Sequence, residues 1–188
     1  MYKHYNSYGK IGIDKPVVLV GMMGAGKTTI GLRLAKKLSL PFIDTDEMVS
    51  RMVGCSLQEI FKYQSELYFR QKELEAINEA LNFGVSVVAT GGGSFVCEDV
   101  RESIAHKGTS VWLRVPLETL LERVSRKNTR PILEQGNKEE ILKNLMNDRY
   151  PSYGAANIIV DSDTLTHYHV VNIIISKLQQ YSRRTNAS

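Results

Sequence analysis

The chain of 188 residues has only two cysteines, Cys55 and Cys97, far apart and in no CxxC or Cys/His cluster. Nothing therefore indicates a disulfide framework, a thiolate metal site or a redox pair, and two thiols in a reducing cytoplasm are expected. Long apolar runs are missing too: none approaches the roughly 20 residues that span a bilayer. Residues 1–15 contain no apolar core of a secretory leader and no arginine, which speaks against an organelle-targeting peptide as well. That stretch and residues 183–188 are expected to be flexible extensions. Charge of one sign is scarce: 24 Lys and Arg against 20 Asp and Glu leave +4, spread along the chain. Scattered arginines suit an anionic substrate as well as they suit nucleic acid. No internal repeat and no linker divides the sequence, and its length suits one domain, taken as residues 16–182. The expectation is a cytoplasmic monomer with neither a membrane nor a nucleic-acid partner.

What is present begins with Gly21-Met22-Met23-Gly24-Ala25-Gly26-Lys27-Thr28, which fits the phosphate-loop pattern G-x-x-x-x-G-K-[ST] without a gap. The apolar run Val17–Val20 precedes it and a helix-like run, 29–38, follows it. In such a loop the glycines let consecutive backbone N–H groups turn inward around a phosphate, helped by the positive end of the helix, and Gly24, Ala25, Gly26, Lys27, Thr28 and Thr29 are the expected nucleotide-binding residues. Lys27 can reach the β- and γ-phosphates, and the Thr28 hydroxyl can ligate Mg²⁺. The spacing thus predicts a nucleoside triphosphate site.

The remaining chain alternates strand and helix. Strands are expected at 41–43, 85–89, 110–113 and 157–160. Helical periodicity covers 47–52, 57–61, 66–81, 98–106, 117–124, 139–146 and 169–178. Between 125 and 131 the apolar pattern stops and the sequence turns polar and basic. Strands interleaved with helices imply a parallel sheet covered on both faces, an α/β three-layer sandwich with five central strands. Ligands bind such sheets at the carboxyl ends of the strands. The phosphate loop, Asp44/Asp46 and Gly91-Gly92-Gly93 all fall there.

Asp44 and Asp46 would project to one side if strand geometry persists through them. One carboxylate could then hold the waters of Mg²⁺ and the other orient an alcohol and accept its proton. Alternatively, both begin a helix, since Asp is a favoured cap. Three consecutive glycines suggest close approach of backbone to a ligand. The strand before them ends without an acidic residue, so the usual Walker-B aspartate is missing. The chain has no DxxG segment, and Asn137-Lys138-Glu139-Glu140 lacks the aspartate that would complete a guanine-reading NKxD, so a GTP-driven switch is not expected. Arg70, Arg130 and Arg149 remain as planar forks suited to carboxylate or phosphate.

Taken together, the phosphate loop through Gly31, Asp44-Thr45-Asp46, Phe69-Arg70 with Glu73, Thr90-Gly91-Gly92-Gly93, Arg130-Pro131-Ile132-Leu133 and Arg149-Tyr150-Pro151-Ser152-Tyr153 resemble the shikimate kinases. These motifs span about 16–178 in family order and spacing. The resemblance implies a nucleoside monophosphate kinase-like phosphate-loop fold with a mobile lid at about 123–136. It also implies transfer of phosphate from ATP, with Mg²⁺, to the 3-hydroxyl of shikimate. By the same resemblance Asp46 binds the hydroxyls and is the candidate base, Arg70 and Arg149 hold the carboxylate, and Gly92 and Gly93 line the ring. Arg130 belongs to the lid and touches the phosphates, Arg123 packs on adenine, and Asp44 acts on the Mg²⁺ waters beside Thr28. Gluconate and nucleoside monophosphate kinases share the phosphate loop but not this set. Met22, Met23 and Thr28 are small departures from commoner residues.

Overall fold

The computed structural model describes residues 12–126, 136–163 and 165–185. The expectations for residues 1–11 and 186–188, for Arg130 and for most of the lid segment lie outside these. Five strands, β1 (Val17–Val20), β2 (Phe42–Asp44), β3 (Val87–Ala89), β4 (Thr109–Arg114) and β5 (Ile158–Asp161), form one parallel sheet in the order β2-β3-β1-β4-β5. The expected five-stranded α/β architecture is the observed one. The strands are short and apolar because both faces are covered: Val17 to Val20 and Val87 to Ala89 are buried throughout.

The helices are α1 (Lys27–Leu38), α2 (Thr45–Val53), α3 (Leu57–Tyr63), α4 (Glu66–Asn82), α5 (Glu98–Lys107), α6 (Leu117–Ser125), α7 (Lys138–Tyr153) and α8 (His167–Thr185). From β1 the chain moves outward through α1 to the edge strand β2. From β3 it moves the other way, through α5 to β4. Right-handed crossovers in opposite directions put α1 and α5 on opposite faces. The reversal opens a crevice at the carboxyl ends of β1 and β3. Register keeps these ends level: Asp44 pairs with Ala89, and Ala89 with Leu19. Gly31 lets α1 close on the sheet, since a Cβ there would stand within van der Waals radius of the Phe42 ring.

Some boundaries differ from the periodic pattern. Helix α7 runs to Tyr153 and carries Pro151 in its last turn, where losing one N–H leaves the packing intact. Helix α8 runs from His167 to Thr185, and the Ser182 hydroxyl on it donates to Gly12 O at 2.7 Å. Among the described residues no helix is long and apolar enough to cross a membrane. A cavity of about 260 Å³ bordered by Asp14, Lys15, Thr109 and Tyr181 opens at the amino ends of the strands, opposite the crevice.

Candidate active site

The phosphate loop leaves β1 with Gly21, Gly24 and Gly26 at φ 136°, 80° and 92°, a region that side chains other than glycine's adopt with strain. Helix α1 then starts at Lys27 with no side-chain cap and no acidic residue in its first turn. Most other helices here carry an acid in that turn: Asp46 and Glu47 in α2, Glu59 in α3, Glu66 in α4. The positive end of α1 is therefore left for an anion. Lys27 is buried, and its ammonium donates to Gly21 O at 2.7 Å and Met22 O at 3.0 Å. Those carbonyls hold the lysine within the loop it serves. Arg123, on the last turn of α6, donates to Gly24 O at 3.4 Å and so lies across the same loop. His167 on α8 is held below its ordinary pKa by burial and by the charges of Arg33 and Arg123.

Of the two readings of Asp44 and Asp46, a continued strand or a helix start, the helix start is the one observed. β2 ends at Asp44, which becomes the cap of α2: its Oδ1 accepts from Asp46 N at 3.0 Å. Capping wins because the side chain supplies an acceptor for an N–H the helix would otherwise leave orphaned. The other oxygen, Oδ2, accepts from the Thr28 hydroxyl at 2.8 Å. Thr28 and Asp44 thus form a paired hydroxyl and carboxylate at the foot of the phosphate loop. This is a hard-oxygen set that fits Mg²⁺, with the acid supplied from β2, next to the β3 strand that lacks one. Among the described residues no group of three or more acids, histidines or cysteines could cage a metal alone. Nucleotide oxygens and waters would complete such a shell.

The three glycines after β3 have a steric reason. None lies in the positive-φ region, so conformational freedom does not require them. Each instead faces a different neighbour. A Cβ on Gly91 would stand 2.8 Å from Glu73 Oε1 and 2.9 Å from Asp46 Oδ1. On Gly92 it would stand 3.1 Å from the backbone nitrogen of Met23 and 3.6 Å from Arg149 Nη1. On Gly93 it would stand 3.0 Å from Arg70 Nη1. Asp46, Arg149 and Arg70, from three different helices, therefore converge on one glycine turn. At Gly92 that turn touches the phosphate loop backbone directly.

Each cation has a local anchor. Arg70 Nη1 lies 2.7 Å from the buried Glu73, and Nη2 lies 3.2 Å from the exposed Glu66. Burial pulls the Arg70 pKa down, but the charges and hydrogen bonds of Glu73 and Glu66 together outweigh it, leaving the net shift upward. Glu73 Oε1 also accepts from Ser94 Oγ at 2.6 Å. Arg149 Nη1 donates to Gly92 O at 3.0 Å, and the Tyr153 hydroxyl donates to the same oxygen. Tyr150 fixes the helix behind them, donating to Val115 O at 3.0 Å and meeting Trp112 edge-on at 4.9 Å.

The sequence assigns no task to Ser94 or Tyr153 and places Glu73 only as a companion of Phe69-Arg70. Spacing carried a signal for two of them. Glu73 stands three residues after Arg70, and Tyr153 four after Arg149, so each pair shares a helix face. Ser94 gave no such signal, because its partner is 21 residues away.

With this geometry established, similarity to known proteins is specific. A model of the shikimate kinase family matches residues 23–179. A shikimate kinase of Rhodopseudomonas palustris is 39% identical over 168 residues, 89% of this chain and 83% of that one. One from Paramagnetospirillum magneticum is 46% identical over 154 residues, 82% of this chain and 78% of the relative. Among solved structures, a shikimate kinase from Acinetobacter baumannii in complex with shikimate superposes with a TM-score of 0.86 at 32% identity, covering 92% of this chain and 97% of that one. A gluconokinase from Sinorhizobium meliloti, at 18% identity and a TM-score of 0.62, shares the fold alone. By sequence over most of its length, and by fold, this chain belongs to the shikimate kinase family.

Proposed function

We propose that the chain transfers the γ-phosphoryl group of ATP to the 3-hydroxyl of shikimate, giving shikimate 3-phosphate and ADP, a step toward chorismate and the aromatic amino acids. One observation carries this reading: Asp46, Arg70 and Arg149 converge on Gly91-Gly92-Gly93 where that turn abuts the phosphate loop. A small acid bearing several hydroxyls needs a cationic clamp and a hydroxyl reader, and both are present within one crevice. A shikimate-bound structure among the relatives adds weight to the same acceptor.

Arg70 and Arg149 hold the carboxylate, while the backbone of Gly92 and Gly93 lines the ring. Asp46 accepts a hydrogen bond from the 3-hydroxyl and takes its proton as the new P–O bond forms. In a loose transition state that proton leaves late, so orienting the oxygen in line with the γ-phosphorus is the larger contribution. Lys27 and the N–H groups of Gly24, Ala25, Gly26 and Thr29 hold the phosphate oxygens and stabilise charge as the β–γ bond breaks. Arg123 lies against the nucleotide from α6, and Arg130 closes over the phosphates as part of a lid that excludes water. Thr28 and Asp44 are the residues that would hold Mg²⁺, which would supply charge neutralisation to the triphosphate. The unit of function is one domain, residues 16–182, acting as a cytoplasmic monomer on small molecules.

The test is ADP release from protein, ATP and Mg²⁺, with shikimate, gluconate, AMP or no acceptor. A large rise with shikimate alone is expected. Equal rates with and without shikimate would overturn the reading.

A further inference from the structure

The residue that joins the two halves of the crevice is Tyr153, the last of α7 and fully buried. Its hydroxyl donates to Gly92 O in the acceptor turn and lies 3.8 Å from Met22 Sδ in the phosphate loop. Its ring packs against Trp112 at 5.6 Å and Tyr150 at 6.1 Å. Filling that space needs the ring and not the hydroxyl, because a phenylalanine has nearly the same shape.

The hydroxyl serves Gly92. A carbonyl oxygen has two lone pairs, and here both are used, by Arg149 Nη1 and by the Tyr153 hydroxyl. Two donors from one helix face fix the plane of the peptide joining Gly92 and Gly93. Because that peptide is trans, its N–H, which belongs to Gly93, points away from both donors. The same bond therefore sets the Gly93 N–H and the Arg149 guanidinium together. Burial pushes the Tyr153 phenol up to about 12, the Arg149 charge pulling the other way, so the group stays a donor throughout the neutral range.

We propose that Tyr153 is a positioning residue for the acceptor: through the Gly92 carbonyl it holds Arg149 and the Gly92–Gly93 peptide in the arrangement that receives the shikimate carboxylate and ring. The proposal rests on the shikimate reading of the site and extends it to a group that itself touches no substrate. Arg149 alone on that carbonyl can swing with the mobile end of its side chain, whereas the phenol, locked by two aromatic neighbours, cannot. The rigid partner defines where the flexible one rests.

The experiment is Tyr153→Phe, made alone and in an Arg149→Lys background, with steady-state constants for shikimate and ATP and a melting curve for each protein. Losing the hydroxyl is expected to raise the KM for shikimate about tenfold, equivalent to ~1.4 kcal/mol, with the KM for ATP changed by less than about twofold. In the Arg149→Lys background, where the shared carbonyl no longer aligns the same guanidinium, the effect is expected to fall below about threefold. An unchanged shikimate KM, an equal rise for ATP, an equal rise in both backgrounds, or a Phe variant that does not fold would each assign the hydroxyl to stability and overturn the proposal. Wild-type protein without shikimate-dependent turnover would overturn the parent reading first, before any substitution is compared.

Discussion

Arg70 and Glu73 form an ion pair of 2.7 Å in which the carboxylate is buried and the guanidinium is about one-third exposed. The asymmetry suits a guanidinium that is held from one side by a buried carboxylate and still open to the crevice on another. Glu73 is held in turn by Ser94, so the turn after β3 and α4 share one buried carboxylate. Replacing Glu73 with Gln keeps the shape and removes the charge. The KM for shikimate should rise by about tenfold and ATP binding should be nearly unchanged, while stability falls by about 2 kcal/mol through the weakened charged hydrogen bonds. Steady-state constants and urea midpoints check both. An unchanged shikimate KM would show that Arg70 needs no anchor, or binds nothing.

The glycines separate space from conformation. Gly91→Ala sets a methyl against Asp46 and against Glu73 and Ser94, the last two buried and hydrogen-bonded to each other. It should cost about 1–3 kcal/mol in stability as well as activity. Gly93→Ala meets only the far end of Arg70, a flexible side chain that need give by only a few tenths of an ångström and can do so without leaving Glu73. Its stability should stay within about 0.5 kcal/mol of wild type while the shikimate KM rises. Melting curves and kinetics on the two variants distinguish these outcomes, and equal destabilisation would contradict the packing argument.

Lys27→Met removes the ammonium that now bonds Gly21 O and Met22 O. Phosphoryl transfer should fall by at least about 10³-fold, the scale on which single charge-stabilising groups act. A methionine fills the same space, so circular dichroism should be unchanged. Retained turnover would mean that the loop does not hold the transferring phosphate.

Much of this was legible in the chain because it is written in local pattern. Val17–Val20 and Val87–Ala89 are apolar runs that a doubly covered sheet demands, and the phosphate loop has a fixed spacing. Asp44 was harder. The D-x-D spacing reads equally as a strand or as a helix start, and only the hydrogen bond to Asp46 N decides for the cap. The extent of α7 was concealed by Pro151, which propensity treats as a helix end although the packing of Tyr150 and Tyr153 continues the helix past it. The pairing of Ser94 with Glu73 is tertiary, and no local pattern encodes it.

Arg149→Ala should raise the shikimate KM by at least about 100-fold, the loss of a charged, substrate-facing donor, and the ATP KM by far less. The Gly92 carbonyl would keep Tyr153 as a donor, so the fold should survive. Parallel titrations of both substrates decide the matter. Equal changes in the two constants would remove Arg149 from the carboxylate clamp.

Tyr153 also predicts how stability responds to alkali. Its pKa in the folded protein is raised to about 12 by burial, opposed by Arg149, against about 10 in an unfolded chain. Between those values the unfolded state has lost the phenolic proton and the folded state has kept it. Unfolding then releases a proton, so stability falls as pH rises from about 10 toward 12, and below about pH 10 the group contributes no slope. A shift of about two units corresponds to about 3 kcal/mol once both states are ionised. Lysines and other tyrosines titrate in the same window, so the quantity to measure is the difference between wild type and Tyr153→Phe. Urea midpoints taken from pH 8 to 11.5 should show the Phe variant losing less stability with alkali than wild type does. Parallel curves across that range would mean that the buried phenol ionises without cost, and its bond to Gly92 could not then be the rigid support on which Arg149 rests.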